Sequence, residues 1–192
     1  GARPGVSRPA YGRVMDDAPT GNREQGEYWE ARATASADAE DYTALISSSF
    51  GQRAMDALDP GPGDTVLDVG CGTGPTTIEL ARRVAPGGTV LGVDIAATMV
   101  DAARRRAAGA GADRVEFAVA DAQVDDLGAG AFDAVYSQFG VMFFADADAA
   151  FANLHAALRP GGRLGFTCWQ DVFSNEWMLV PGAAVIDVTG EP

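Results

Sequence analysis

The sequence predicts an α/β doubly wound domain, in which helices cover both faces of a mostly parallel sheet. Short apolar runs typical of buried strands recur along residues 61–170, and segments with the period of a helix separate most of them. Turns rich in glycine and proline, among them "PGPGD" and two copies of "PGG", mark the junctions. Strands that alternate with helices are joined by right-handed crossovers and lie parallel to one another.

Five strands and three helices are expected in this core. The strands are "TVLDVG" at 65–70, "TVLGVDI" at 89–95, "VEFAVADA" at 115–122, "FDAVYSQFG" at 132–140 and "GRLGFTCWQ" at 162–170. The helices are "PTTIELARRVA" at 75–85, "ATMVDAARRRAAG" at 97–109 and "DADAAFANLHAALR" at 146–159. Pro75 suits the first turn of a helix, because the N–H that it lacks would have no helical partner there.

The segment before the core divides into two parts of different composition. Residues 1–23 mix proline, glycine and charge without any period, which predicts a flexible N-terminal arm. Residues 24–60 carry aromatic residues and good helix formers, and two or three helices are expected there.

The composition fits one well-buried domain and weighs against several partners. The chain has 192 residues, of which 47% are hydrophobic and 21% charged. Its formal net charge of -13 disfavours nucleic acid, and the run Arg104–Arg106 is interpreted as a solvated helix face. No apolar run approaches the roughly 18 residues that cross a bilayer. Cys71 and Cys168 indicate no disulfide framework and are expected to pack as small residues, so a reducing cytoplasm is the expected location.

The stretch "VLDVGCGTG" at 66–74 places three glycines at alternate positions directly behind the first strand. In doubly wound sheets, ligands bind beyond the carboxyl ends of the strands, at the switch in strand order. Gly70, Gly72 and Gly74 have no Cβ, so the backbone can turn tightly and a ligand can approach it closely. The alternative is that they are ordinary turn glycines in a chain with 24 glycines.

Two aspartates end the next two strands at the same edge. Asp94 lies twenty residues after Gly74, where a carboxylate can accept hydrogen bonds from both hydroxyls of a ribose. An alternative role for Asp94 is an N-cap of the helix that starts near Ala96, and both roles can hold together. Asp121 could accept a hydrogen bond from an exocyclic adenine amine. Together the strand ends favour a nucleoside ligand.

These motifs resemble those of the class I S-adenosylmethionine-dependent methyltransferases, within them the small-molecule group that includes the menaquinone and ubiquinone methyltransferases. The resemblance covers about residues 27–177 and rests on "VLDVGCGTG", "VLGVDIAATMVDAARRRA", "VEFAVADAQ" and "FANLHAALRPGGRL". It implies a Rossmann-like methyltransferase fold, S-adenosyl-L-methionine as cofactor, S-adenosyl-L-homocysteine as product and a small-molecule methyl acceptor.

The resemblance also implies a cofactor-binding role for matching residues along the strand ends. Those near the methionine part and the sulfonium are Asp68, which would engage the amino group directly or through water, and Gly70, Gly72, Gly74 and Ser137. Those near the adenosine are Asp94 at the ribose, Ile95 and Met99 beside adenine and ribose, Asp121 at the adenine amine, and Ala122, whose N–H would meet a ring nitrogen. Tyr28 or Trp29 would close over the cofactor from the helices at 24–60.

A dinucleotide ligand is the less favoured alternative, and it would make the chain an NAD-dependent oxidoreductase. The dinucleotide fingerprint is G-x-G-x-x-G, which seats a pyrophosphate on a helix N-terminus, whereas the glycines here alternate and Pro75 and Thr76 follow them. Asp68, just before the turn, also suits an ammonium group better than a phosphate.

Neither a catalytic residue nor a metal ligand is assigned from the sequence. The methyl group of a sulfonium is already activated, so in-line displacement needs chiefly a positioned nucleophile and a dry site. His155 falls in a sheet-covering helix, where a structural role is expected. Four residues on the expected ligand side could act as a base, but each could equally cap, pack or be solvated: Glu24, Glu27, Tyr28 and Gln138.

Residues 171–192 are interpreted as the truncated start of a substrate-side segment, because the resembled family continues with a helix and two further strands. The fifth strand would then be an exposed edge through which copies of the chain could associate as a homo-oligomer. The acceptor is expected to be small and apolar or aromatic, since "FGVMFF" and "EYW" flank the expected pocket. Two other functions stay open, a cofactor-binding module without turnover and a methyltransferase that acts on protein.

Overall fold

The computed structural model contains a five-stranded parallel sheet with the strand order β3-β2-β1-β4-β5. The structure describes residues 20–171, 174–175 and 179–180, and within the first helix it describes the side chains of residues 22–33 and 48–58. The strands are β1 Thr65–Val69, β2 Thr89–Asp94, β3 Val115–Val119, β4 Phe132–Gln138 and β5 Leu158–Thr167. The helices are α1 Thr20–Leu58, α2 Pro75–Val84, α3 Ala97–Gly109 and α4 Ala147–Ala157, with a 3-10 turn at Val141–Phe143. The predicted α/β doubly wound class is confirmed.

The strand order reverses at β1, which lies at the centre of the sheet. Val66 of β1 pairs with Val90 of β2 on one side and with Ala134 of β4 on the other. Because all the strands run parallel, their carboxyl ends meet at one edge of the sheet. The switch point between β1 and β4 therefore opens at that edge, where doubly wound sheets bind their ligands.

Helices cover both faces of the sheet, as the sequence predicts. On one face, Met55 of α1 and Leu80 of α2 belong to a buried cluster with Tyr136 of β4. On the other face, Leu154 of α4 belongs to a buried cluster with Leu67 of β1. Each such fully buried side chain contributes about 1.5–3 kcal/mol relative to exposure. The two clusters pack the helices against both faces of the sheet whose strand ends form the site.

α1 is a single helix of 39 residues, so the prediction of two or three helices in residues 24–60 is wrong. No proline lies between Thr20 and Leu58, and a glycine inside a helix costs only about 1 kcal/mol relative to alanine. A Cβ at Gly51 would meet the end of the Gln138 side chain and the Tyr136 hydroxyl. α1 begins at Thr20, so the last four residues of the predicted arm are helical.

The first and last parts of α1 are held by different neighbours. Near its end, Asp56 pairs with Arg83 of α2 at 2.7 Å, and the backbone carbonyl of Gly51 accepts from the Tyr136 hydroxyl at 3.1 Å. Near its beginning, a Glu30 carboxylate oxygen accepts from the backbone N–H of Thr98 at 3.2 Å. α1 therefore begins beside α3, near the carboxyl ends of the strands, and ends beside α2 and β4. Among the described residues, no helix combines the length and the apolar character that a membrane span requires.

β5 begins at Leu158, four residues before the predicted start, and ends at Thr167 rather than Gln170. The extra residues pair because Leu158 lies opposite Phe132, and the register then shifts before Ala134. β5 pairs with β4 and forms an edge of the sheet within the described residues, where Phe166 is exposed. Association through this edge stays a prediction, and most of the predicted segment 171–192 lies outside the described residues.

Candidate functional site

The glycine turn joins the end of β1 to α2 in a conformation that favours glycine. Gly70, Gly72 and Gly74 have φ angles of 69°, 54° and 90°. A Cβ on Gly70 would lie 2.9 Å from Cα of Gly140, and one on Gly74 would lie 3.0 Å from Phe117. A Cβ on Gly72 would have no neighbour within 4 Å. Gly70 and Gly74 are therefore required by packing, whereas Gly72 borders open space at the switch point.

Asp94 connects the end of β2 to the glycine turn. Its Oδ2 accepts from the Gly72 N–H at 2.9 Å, and its Oδ1 accepts from the Ala96 N–H at 2.9 Å. The N-cap of α3 is Ala96, so the alternative role of Asp94 as the N-cap is wrong. Burial raises the pKa of Asp94, the backbone N–H donors oppose that rise, and the Glu30 carboxylate adds to it. The Ile95 N–H is among these donors, so three backbone N–H groups engage the carboxylate and part of its acceptor capacity remains for a further donor.

Asp68 is fully buried at the end of β1, below the glycine turn. Its Oδ2 accepts from the hydroxyls of Thr76 and Thr77, both at 2.7 Å, while Oδ1 has no hydrogen-bond partner within the described residues. Burial raises the pKa of Asp68 to about 6, against the opposing effect of the two hydroxyls, and the charge of Asp94 raises it further. The threonines were missed in the sequence, although "PTT" directly behind the turn places them in the first turn of α2.

Asp121 follows β3 and accepts hydrogen bonds from a side chain near the beginning of α1. Both of its carboxylate oxygens accept from Nδ2 of Asn22, at 2.7 and 2.8 Å, and Oδ1 also accepts from the Gln123 N–H at 2.9 Å. The neighbouring Ala122 is buried, and its carbonyl accepts from the Asn153 side chain at 2.9 Å. Asn22 was missed because the sequence pattern assigned it to the flexible arm.

Trp29 and Met99 meet where α1 crosses the start of α3. Trp29 packs against a buried cluster of Ala33, Ala96 and Met99, and its ring lies 5.0 Å from that of Phe143 in an edge-to-face arrangement. Ile95, half-buried between β2 and α3, lies beside Gly26, where a Cβ would be 3.5 Å from its side chain.

The two aromatic residues proposed to close over this edge differ in orientation. Tyr28 is 46% exposed, and Arg32 lies over its ring at 4.1 Å. Trp29 is therefore the aromatic residue that faces the other candidate residues, whereas Tyr28 faces solvent.

Ser137 fixes the end of β4 against the end of β1. Its hydroxyl is fully buried and donates to the Val69 carbonyl at 2.7 Å. Two residues later, Phe139 has a φ of 60°, which is unusual for a residue with a side chain, and its ring stacks on Trp169 at 4.7 Å. Phe50 of α1 meets Trp169 edge to face at 5.7 Å. Phe50 and Trp169 were missed in the sequence because they lie far from the motifs along the chain.

The candidate bases are dispersed. His155 is exposed near the end of α4, and Glu24 and Glu27 are exposed on α1. Oε1 of Gln138 accepts from the Tyr136 hydroxyl at 3.2 Å. Within the part of the chain that the structure describes, no group of three or more His, Cys, Asp or Glu residues could hold a metal ion.

The two cysteines differ. Cys71 is buried in the glycine turn as predicted, and burial raises the pKa of its thiol. Cys168 is exposed one residue beyond β5, so its predicted packing role is wrong. The difference arises because the strand that carries the predicted pattern ends at Thr167.

The arrangement of a glycine turn and strand-end carboxylates belongs to a known family. Residues 66–162 match the family model of the methyltransferase domain, and the chain belongs to this family. The prediction of an S-adenosylmethionine-dependent methyltransferase is thereby confirmed at the level of the family.

Similar proteins include a nocamycin O-methyltransferase from Saccharothrix syringae, 42% identical over 71% of this chain and 50% of the relative. A demethylmenaquinone methyltransferase from Thermus thermophilus is 44% identical over 59% of this chain and 50% of the relative. A solved structure of phosphoethanolamine N-methyltransferase 2 from Haemonchus contortus, in complex with S-adenosyl-L-methionine, is 26% identical with a TM-score of 0.58, over 67% of this chain and 31% of that chain. The chain spans about half the length of the curated relatives that it matches.

Proposed function

We propose that this chain binds S-adenosyl-L-methionine and transfers its methyl group by in-line displacement to a small, apolar or aromatic acceptor. The observation that carries the proposal is the hydrogen bond from the Gly72 N–H to the Asp94 carboxylate at the switch point. The Asp94 carboxylate holds the backbone of the turn and keeps acceptor capacity for a further donor, and Gly72 leaves the space in front of it open. A ribose with two neighbouring hydroxyls fits this donor and acceptor pattern.

The charge of the site supports a cationic cofactor over a dinucleotide. Asp68, Asp94 and Asp121 all lie at the carboxyl edge of the sheet, at the ends of three neighbouring strands. Like charges in a partly buried site repel, so this edge disfavours a pyrophosphate and favours the ammonium and sulfonium of S-adenosylmethionine. The Oδ1 atom of Asp68 is a buried acceptor that an ammonium group, or a water bound to it, would satisfy.

The remaining predicted residues complete the proposed cofactor site. Gly70 and Gly74 hold the conformation of the turn, and Gly72 would lie beside the methionine part of the cofactor. Ile95, Met99, Asp121 and Ala122 would contact the adenosine, Trp29 would cover it, and Ser137 would border the sulfonium.

The proposed mechanism relies on position and exclusion of water. When bound, S-adenosylmethionine supplies a methyl group that its sulfonium has already activated. The hydroxyl of Ser137 donates to the Val69 carbonyl, so it fixes the end of β4 against β1. His155 lies on α4, away from the strand ends. The chain is therefore expected to orient the acceptor and keep the site dry, which can supply several kcal/mol of the rate enhancement.

The proposed acceptor surface consists of Phe50, Phe139 and Trp169. It adjoins the cofactor site because Phe139 precedes Gly140, whose Cα lies against Gly70. Three aromatic rings favour a planar apolar acceptor, since an aromatic pair contributes about 0.5–1.5 kcal/mol beyond its buried area. The relatives named for nocamycin and demethylmenaquinone agree with such an acceptor.

Transfer of a radiolabelled methyl group to a panel of acceptors tests this proposal. A naphthoquinol and a phenolic ketone are expected to accept the methyl group, and phosphoethanolamine is not. Trp169→Leu should raise the KM of the aromatic acceptors about threefold to tenfold, the equivalent of one lost aromatic contact. Phe166→Leu is the matched control, because Phe166 is an exposed aromatic residue on β5 that contacts Phe151 of α4 instead.

The panel also separates the proposed function from its alternatives. Binding of S-adenosylhomocysteine without transfer to any acceptor would favour a cofactor-binding module without turnover. Equal effects of Trp169→Leu and Phe166→Leu on KM would contradict the proposed acceptor surface.

A further inference from the structure

We propose that the side chain of Asn22 imitates the hydrogen-bonding edge of adenine and latches the beginning of α1 over the adenosine site. The inference rests on the proposed function, because it takes Asp121 as the acceptor of the adenine amine. It adds a regulatory element to that site, an intramolecular competitor of the cofactor.

The Asn22 side chain is buried and is hydrogen-bonded to residues far from it along the chain. Its Nδ2 lies 2.7 and 2.8 Å from the two carboxylate oxygens of Asp121, and its Oδ1 accepts from the backbone N–H of Ala145 at 3.1 Å. Asn22 is 3% exposed and Asp121 is 9% exposed. Every polar atom of the Asn22 carboxamide is thus engaged with residues that follow the strand ends.

The chemistry of a carboxamide explains why it fits this position. It presents an NH₂ donor beside a carbonyl acceptor, and adenine presents its amino group beside a ring nitrogen acceptor. Both therefore offer a donor and an acceptor side by side on a planar edge. Asn22 donates to both oxygens of Asp121 and the Gln123 N–H donates to Oδ1 as well, so an adenine amine directed at this carboxylate competes with Asn22 for the acceptor sites.

The neighbouring turns of α1 lie against residues proposed to contact the adenosine. Gly26 lies against Ile95, and Trp29 packs against Met99, the two residues expected beside adenine and ribose. Glu30 accepts from the backbone N–H of Thr98 and fixes this part of the helix on α3. The beginning of α1 and the adenosine therefore share contact residues, whereas the end of α1 is anchored on the sheet by Met55.

The latch couples cofactor binding to opening of the beginning of α1. When only a fraction of molecules is open, the apparent dissociation constant exceeds the intrinsic one by the inverse of that fraction. A latch closed in about nine-tenths of the molecules would thus weaken binding about tenfold. Removing the Asn22 carboxamide should recover much of this tenfold loss of affinity.

Isothermal titration of the chain with S-adenosylhomocysteine tests the latch. Asn22→Ala and Asn22→Asp are compared with wild type, and Arg23→Ala, an exposed change one residue along, is the matched control. Hydrogen exchange of residues 22–33, measured without added ligand, is the second readout. Asn22→Asp brings a carboxylate towards Asp121 and opens the latch by repulsion without loss of side-chain volume.

Both Asn22 variants are expected to bind S-adenosylhomocysteine at least fivefold more tightly than wild type. Exchange in residues 22–33 should accelerate at least fivefold while β1 and β4 keep their protection, and Arg23→Ala should match wild type. Equal or weaker binding by Asn22→Ala, with wild type binding measurably, would overturn the latch and leave the proposed function standing. If neither wild type nor the variants bind, the proposed function fails, and the latch fails with it.

Discussion

Replacing Asp68 with asparagine is expected to stabilise the fold at neutral pH. Asp68 is fully buried, and burial raises the pKa of its carboxyl from 3.8 to about 6. At pH 7.5 the folded protein therefore holds a buried carboxylate, with Oδ1 unpartnered among the described residues. Asparagine is neutral at every pH, and its Oδ1 can accept from Thr76 and Thr77 as the carboxylate oxygen does.

The size of the effect follows from linkage between protonation and folding. The folded state binds the Asp68 proton more tightly than the unfolded state, so stability is highest when the group is protonated and falls as pH rises through the folded pKa. The difference between 3.8 and about 6 corresponds to about 3 kcal/mol, fully developed above pH 6 and absent below the unfolded value. Asp68→Asn should recover up to about 3 kcal/mol at pH 7.5 and about half of that at pH 5.

Urea unfolding at pH 5 and pH 7.5 measures both values. Asp133→Asn is the matched control, because Asp133 is also buried but pairs with Arg159 and accepts from the Thr65 N–H at 2.7 Å. That variant should lose stability at both pH values, since it leaves partners unpaired. If Asp68→Asn gains nothing at pH 7.5, or gains equally at both pH values, the account of a strained buried carboxylate is wrong.

Three further predictions concern the glycine turn, α1 and the cysteines. Gly74→Ala should lower the free energy of unfolding in urea by about 2–3 kcal/mol, because its Cβ would lie 3.0 Å from two side chains. Gly72→Ala should lower it by only about 1 kcal/mol, yet it should weaken the binding of S-adenosylhomocysteine about tenfold. Equal stability losses would refute the distinction between the two glycines. Tyr136→Phe should cost about 1 kcal/mol by loss of a buried hydrogen bond, and unchanged stability would contradict this. Iodoacetamide at pH 8 should modify Cys168 well before Cys71 in mass spectra, and the reverse order would contradict the burial of Cys71.

The strands and the glycine turn could be predicted because they depend on local patterns. The run from Val66 to Gly74 alone encodes a buried strand followed by positive φ angles, and the carboxylates of Asp94 and Asp121 follow from their positions behind strands. Alternation of apolar strands with helical segments was enough to predict the parallel topology.

The parts that the sequence left unpredicted depend on contacts between distant segments. Asn22 and Asp121 are 99 residues apart, and no local pattern joins them. Phe50 and Trp169 meet only because the fold packs the last part of α1 near the ends of β4 and β5. α1 was divided wrongly because composition changes along it, whereas the helix continues from Thr20 to Leu58 and its two ends are held by contacts with distant segments.

The most direct test of the central proposal is isothermal titration with S-adenosylhomocysteine, comparing wild type with Asp94→Ala and using NAD as a competing ligand. Asp113→Ala is the matched control, because Asp113 is exposed at the opposite end of the sheet, before β3. Unfolding curves of each variant establish that the fold is retained. We expect micromolar binding by wild type and by Asp113→Ala, and at least tenfold weaker binding by Asp94→Ala, about 1.4 kcal/mol. Unchanged binding by a folded Asp94→Ala, or preference for NAD, would contradict the proposed site.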